Sequence, residues 1–312
     1  MVLVWIPAIL LGICYITYRM AFYVSPRQRD RGIPLPGGEQ YAAVKHITRP
    51  LMDEMAGLPY ERVSIRAHDG LILTGRYYHQ SDGAPLQIQF HGYRGSPERD
   101  FCGGHKLARR LNQNTLVVDQ RAHGESDGCT ISFGVKERLD CLSWIEYATS
   151  KRTKTDSFGK KPDIFLTGVS MGAATVIMAA GLDLPENVKG VIADCPYSSP
   201  EKIIAKVCRD MHLPPAVVMP FIRMGARIFG GFHLNAADAV EAAKHAKVPI
   251  LILHGEDDRF VPCEMSAEIE KANPAMVRRY TFPGAGHGLS YVVDAPRYER
   301  LVKEFIDECL KP

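Results

Sequence analysis

Missing from this chain are the features that would place it directly in a binding or structural class. Its 312 residues carry 38 Lys and Arg against 35 Asp and Glu. The formal net charge of +3 is too small to argue for a nucleic-acid partner, and no basic stripe interleaved with aromatics stands out. None of the eight cysteines (Cys14, Cys102, Cys129, Cys141, Cys195, Cys208, Cys263, Cys309) belongs to the closely spaced pairs of a zinc site. In a chain this long they do not read as a disulfide scaffold either. Several lie in apolar runs, Cys195 in VIADCP for example, where a thiol behaves as a small hydrophobe. Buried free thiols in a reducing compartment are the expectation. GGEQY and GLPYERV lack the strand, helix and lysine of a phosphate-binding loop. There is no internal repeat and no low-complexity tract.

What remains is a globular composition, 46% hydrophobic and 23% charged, enough to bury a substantial core. One segment departs from it. MVLVWIPAILLGICYITY runs from Met1 to Tyr18 without a charge, and Ala21, Phe22, Tyr23 and Val24 prolong it beyond Arg19. A spanning helix needs about 20 mainly apolar residues, so the length suffices. A cleaved signal peptide fits less well, because no Lys or Arg precedes the apolar core and no small-x-small cleavage site follows. Arg19, Arg27, Arg29 and Arg31 then follow against Asp30 alone, which by the positive-inside rule places the C-terminal side in the cytoplasm. The reading is a single-pass transmembrane anchor over 1–24, attaching the chain to a membrane, with the large domain cytosolic.

Residues 25–58 read as a linker and an amphipathic helix: SPRQRDRGIPLPGG is rich in Pro, Gly and Arg. In EQYAAVKHITRPLMDEMAG, Val44, Ile47, Leu51 and Met55 fall at helical spacing, with Pro50 as a kink. ERVSIRAHDGLILTGRYYH alternates with period two around Asp69-Gly70, a hairpin signal. Six short apolar runs follow, LQIQFHG, NTLVVDQ, DIFLTGV, KGVIADC, VPILILHG and VRRYTFPG. Helical patterns lie between them. One places Val135, Leu139, Leu142, Ile145 and Ala148 on a face; the last places Tyr298, Leu301, Val302, Phe305, Ile306 and Cys309. Strands alternating with helices imply a mainly parallel sheet covered on both faces, with the hairpin adding antiparallel strands at one edge. The interval from about 200 to 247 is longer than a crossover needs and contains LPPAVVMPFIRMGARIFGGF. It reads as a short helical cap over one end of the sheet.

Chemistry concentrates at three strand ends. Gly168-Val169-Ser170-Met171-Gly172 follows DIFLT and precedes the helix GAATVIMAAG. A serine on such a turn is exposed where ligands of a parallel sheet bind, at the positive end of the next helix. A hydroxyl becomes a useful nucleophile only with a base to take its proton and a third group to orient that base. HGEDDRFVP supplies Glu256, Asp257 and Asp258 after one later run, and GAGHG supplies His287 after the next.

FHGYRGS, VDQRAHGESDG, GVSMGAAT, HGEDDRFVP and FPGAGHG, in this order over roughly 60–312, resemble the α/β-hydrolase superfamily. Within it the chain is similar to bacterial membrane-anchored esterase-like proteins and to the catalytic domain of prolyl oligopeptidases. The resemblance implies an α/β-hydrolase fold over 59–312, with a mainly parallel eight-stranded sheet, helices on both faces and the helical cap. It makes Ser170 the nucleophile and His287 the base. Its G-x-x-D-x-x-V-P pattern, matched by Gly255, Asp258, Val261 and Pro262, selects Asp258 as the orienting acid. Backbone N–H groups of Tyr93 and Met171 would form the oxyanion hole.

Other roles stay structural. Arg121 is expected to pair with a carboxylate, and Arg94 to face solvent rather than an anionic substrate group. His91 and His254 are read as packing or loop-bonding residues, and His123 has no role. The implied reaction is hydrolysis of a small or lipid-like acyl ester through an acyl-enzyme, with no metal or organic cofactor. A prolyl-oligopeptidase-like exopeptidase or amidase is the alternative. It is disfavoured because fewer than about sixty residues precede the first strand, too few for a β-propeller. A non-catalytic protein on the same fold ranks last, since no element of the constellation is missing.

Overall fold

The computed structural model describes residues 2–26, 37–150 and 161–311; most of the expected linker, 27–36, lies outside them. Two helices come first, α1 (Val2–Ala21) and α2 (Glu39–Ala56). Then follow β1 (Glu61–Arg66), β2 (Ile72–Tyr78), β3 (Leu86–Phe90), α3 (Pro97–Arg110), β4 (Asn114–Val118) and α4 (Glu137–Ser150). The chain continues through β5 (Ile164–Val169), α5 (Met171–Ala180), β6 (Val188–Asp194), α6 (Pro200–Asp210), α7 (Pro215–Phe229) and α8 (Ala239–His245). It ends with β7 (Ile250–Gly255), α9 (Cys263–Ala272), β8 (Val277–Phe282), α10 (Ser290–Val293) and α11 (Ala295–Cys309).

The eight strands form one sheet in the order β1-β2-β4-β3-β5-β6-β7-β8. The β1–β2 hairpin turns at Asp69-Gly70, where Gly70 has φ 90°, and pairs antiparallel at one edge. From β4 through β8 every pairing is parallel. Every residue of β3, β4 and β7 is buried, which is why these strands read as short runs without polar alternation. The α5 helix is buried along its whole length, so its sequence is apolar all round. This is the α/β-hydrolase fold. Behind the hairpin the expected partner of Arg121 is Asp140: Nε donates to one carboxylate oxygen and Nη2 to the other, each at 2.6 Å. Nη1 donates to Asp69 at 2.9 Å.

The expectation of a transmembrane anchor over 1–24 is corrected here, and the cytosolic orientation built on it falls too. Among the described residues no helix is long and apolar enough to cross a membrane. Instead α1 is docked by one face: Cys14, Tyr18 and Phe22, four residues apart, are buried against α7 and the domain. Gly225 of α7 permits the contact, since a Cβ there would lie 2.5 Å from the Cys14 carbonyl oxygen. Tyr18 Oη shares a 2.7 Å hydrogen bond with Thr130 Oγ1, and Val24 N–H donates to Cys129 O. The apolar run thus supplies a packed face to the domain.

In α2 the inner face also differs from the expected one. Ile47 is exposed and Thr48 buried, because the face that packs runs through Tyr41, Val44, Thr48, Leu51 and Met55. The helix passes through Pro50 without ending.

Removing one partner of a buried, bidentate ion pair strands the other charge. Arg121→Met is therefore expected to lower unfolding free energy by about 3–5 kcal/mol. Arg121→Met with Asp140→Leu should recover much of that loss. Urea denaturation of the three proteins checks it, and a single variant as stable as the parent would remove this pair from the account.

Candidate active site

The turn between β5 and α5 is tight because two backbones nearly touch. A Cβ on Gly172 would lie 1.7 Å from Phe90 O and 2.7 Å from His91 O; one on Gly168 would lie 2.3 Å from the Gly172 carbonyl carbon. Only glycine permits that approach, so G-x-S-x-G is first a packing requirement of β3, β5 and α5. Its result is Ser170 at φ 55° and ψ −113°, a strained conformation that lifts the side chain off the strand end.

The structure brings three of the expected side chains into one hydrogen-bonded row. His287 Nε2 lies 2.9 Å from Ser170 Oγ, and His287 Nδ1 lies 2.7 Å from Asp258 Oδ2. The neighbouring acids do not reach: Glu256 and Asp257 are exposed, and Glu256 accepts from Thr281 Oγ1 instead. Asp258 is buried and its acceptor sites are taken. Oδ1 accepts from the Phe260 and Val261 N–H groups at 2.9 and 2.8 Å, and Oδ2 accepts also from His254 Nε2 at 3.2 Å. Burial alone would raise its pKa. Hydrogen bonds from His254 and His287, with the Val261 N–H, outweigh that and hold the carboxyl well below its usual range. Asp258 is thus a carboxylate that can orient an imidazole without taking its proton.

Opposite Ser170 lies the loop His91–Gly95. Gly92 N–H donates to Asp100 Oδ2 at 2.7 Å, and Arg94 N–H donates to His123 Nε2 at 3.0 Å. Between them, the Tyr93 N–H has no acceptor among the described residues. Met171 opens α5, so its N–H is one of the helix's unpaired first-turn donors. His123, given no role from sequence, therefore fixes this loop. His91 Nε2 accepts from Gln120 N–H at 3.2 Å in support. Burial lowers the pKa of both histidines, which keeps these nitrogens available as acceptors. His254, read as a packing or loop-bonding residue, bonds the Asp258 carboxylate and Val261 O. Arg94 is exposed, as expected, and its Nη2 donates to Met20 O at 3.3 Å and Tyr23 O at 3.2 Å, while Tyr93 Oη donates to Ala21 O. No motif announced these bonds, because each partner is a backbone group distant in sequence.

A cavity of about 530 Å³ opens over Ser170 and His287. Its lining comes mostly from α2, α3 and the loops after β5, β7 and β8; of the 200–247 interval only Lys206 and Asp210 contribute. Asp194 also faces it, with a carboxyl pushed up to about 7 by burial, partly offset by His254 and Tyr298. Cys195, Asp258 and His287 present ligand atoms within 4.8 Å of one another, the one group among the described residues whose donors would suit a soft cation.

Gly172→Ala should be more damaging than the ~1–3 kcal/mol of ordinary overpacking, because the added carbon meets backbone rather than a movable side chain. A thermal melt that stays within a few degrees of the parent would contradict the packing described.

The comparisons point the same way. A family model described as serine aminopeptidase, S33, matches residues 215–291, a stretch holding Asp258 and His287 but not Ser170. The uncharacterized protein YqkD of Bacillus subtilis is 25% identical over 63% of this chain and 63% of its own length. The lysophosphatidylserine lipase ABHD12 of Danio rerio is 22% identical over 71% of this chain and 58% of its own. This chain thus spans less than two thirds of either relative. Among solved structures, the Pyrococcus furiosus esterase Pf2001 superposes with TM-score 0.61 at 21% identity, covering 89% of this chain and 99% of that one. These matches carry no specific link to prolyl oligopeptidases. The sheet order, the strand-end turn and the likeness to that solved structure give the chain the α/β-hydrolase fold.

Proposed function

We propose that the chain hydrolyses a carboxylic ester, small or lipid-like, through an acyl-enzyme on Ser170. The observation that carries this reading is the unbroken row Ser170–His287–Asp258 beneath the cavity. His287 Nε2 takes the hydroxyl proton as Oγ attacks the ester carbonyl carbon. The carbonyl π pair moves onto oxygen, which the Tyr93 and Met171 N–H groups stabilise. When the intermediate collapses, the C–O bond to the alcohol breaks and the leaving oxygen takes the proton from His287. Water then repeats the sequence on acyl-Ser170, releasing the acid and restoring the hydroxyl. Asp258 keeps the imidazole in the tautomer whose Nε2 can accept, and offsets its charge once protonated.

The relatives' names favour an ester: one is a lysophosphatidylserine lipase, another a bifunctional esterase/perhydrolase. An amidase reading has one observation on its side, the aminopeptidase description of the matching family model. The two separate by substrate. With p-nitrophenyl esters and aminoacyl p-nitroanilides side by side, kcat/KM should be higher for the esters, and preferred anilide cleavage reverses the ranking. Ser170→Ala and Asp258→Asn should each lower kcat on the better substrate, on the order of 10⁴-fold or more. A Ser170→Ala protein with undiminished turnover would exclude the proposed nucleophile.

A further inference from the structure

The α2 helix lies upstream of β1, outside the strand–helix alternation, yet it forms a wall of the cavity. Tyr41, Val44, Thr48 and Leu51, spaced three, four and three residues apart, line it from one helical face. The helix is fastened to the catalytic loop. Tyr41 Oη donates to His287 O at 3.0 Å, and Gln40 packs so closely that a Cβ on Gly286 would lie 1.9 Å from its Oε1. Further along, Leu51 and Met55 pack with Phe101, Cys102 and Val169, the residue preceding Ser170.

Polarity divides the cavity. Lys206, Asp210 and Arg259 stand at one part of its lining, with Lys206 Nζ 2.5 Å from Asp210. The α2 face contributes two aliphatic side chains and Thr48, whose hydroxyl donates to its own helix at Val44 O. Arg99 and Asp100, which also line the cavity, are bound to each other, and Asp100 to the Gly92 N–H. The Val44–Thr48–Leu51 face is thus largely apolar surface with its one hydroxyl satisfied, and its Leu51 packs with Val169, next to Ser170.

We propose that the Val44–Thr48–Leu51 face of α2 is the wall against which the substrate's acyl chain lies, so that a helix outside the hydrolase core sets the chain-length preference. This rests on Ser170 being the nucleophile. Each methylene laid against such a wall contributes about fourfold, until the wall is covered. Val44 is half-buried, faces the cavity and makes no bond to the catalytic row, which suits it to substitution.

The test uses the full chain and a series of alkylphosphonofluoridates from methyl to decyl, with inactivation rate constants as the readout. These report capture by a serine nucleophile whatever the natural ester is. In the parent protein the rate should climb with chain length. Val44→Trp should lower the ratio of decyl to methyl rates about tenfold or more, and Val44→Ala should keep or raise that ratio. Circular dichroism of the variants checks that both fold, and the methyl rate serves as an internal control. Labelling with the same length profile in all three proteins, or with all lengths slowed equally, overturns the α2 assignment alone. No labelling at any length in the parent overturns the Ser170 reading and this one with it.

Discussion

The carboxylate of Asp258 is the fixed point of the site. It accepts four hydrogen bonds, two from backbone N–H groups of its own loop and two from imidazoles. Because these outweigh the desolvation of a buried charge, the group stays ionised and rigid together. The ring of His287 is then aimed by a partner that cannot swing away, and the direction of its Nε2 follows. The other side of the site depends on a different contact, the approach of Gly172 to the Phe90 carbonyl, which sets Ser170 and the start of α5. Reactivity of the hydroxyl requires both: an acid that holds the base, and a backbone crowded enough to hold the nucleophile.

Around this row the protein combines charged and neutral polar contacts. The loop carrying Tyr93 is pinned at Gly92 by Asp100 and at Arg94 by His123, leaving the N–H between them unclaimed. From outside, the last carbonyls of α1 receive Tyr93 Oη and the Arg94 guanidinium. Tyr41 of α2 reaches the carbonyl of His287. Both described helices that precede the sheet, α1 and α2, are therefore bonded to loops of the site, one on the serine side and one on the histidine side. Preorganisation of this kind is what allows donors to stabilise developing charge without reorganising during the reaction.

Local rules made much of the framework legible. Buried parallel strands require unbroken apolar runs, a hairpin requires a residue such as Gly70 at positive φ, and the strand–helix alternation excludes most other topologies. Order along the chain set Ser170, Asp258 and His287 at strand ends, but their bonds to one another exist only in three dimensions. Directional information was the part not written in composition. The first helix read as a spanning segment but is docked by one face: Cys14, Tyr18 and Phe22 are turned inward while Trp5 and Ile9 remain 64% and 60% exposed. In α2, Ile47 outranks Thr48 on any apolar scale, yet the threonine is inside, since its hydroxyl is satisfied by its own helix. His123 carried no motif because its partner, the Arg94 N–H, becomes a neighbour only when loops from different strands meet; His254 and Asp258 lie four residues apart, and their bond depends on how that single loop folds.

The most direct test of the central claim is to trap the covalent intermediate. Mixing the protein with a slowly deacylating p-nitrophenyl ester, quenching in acid and mapping peptides by mass spectrometry should place the acyl mass on the peptide bearing Ser170. His287→Ala should abolish the adduct. An acyl group found on another residue, or turnover of the same ester with no adduct at any time point, would contradict a serine activated by the His287–Asp258 pair.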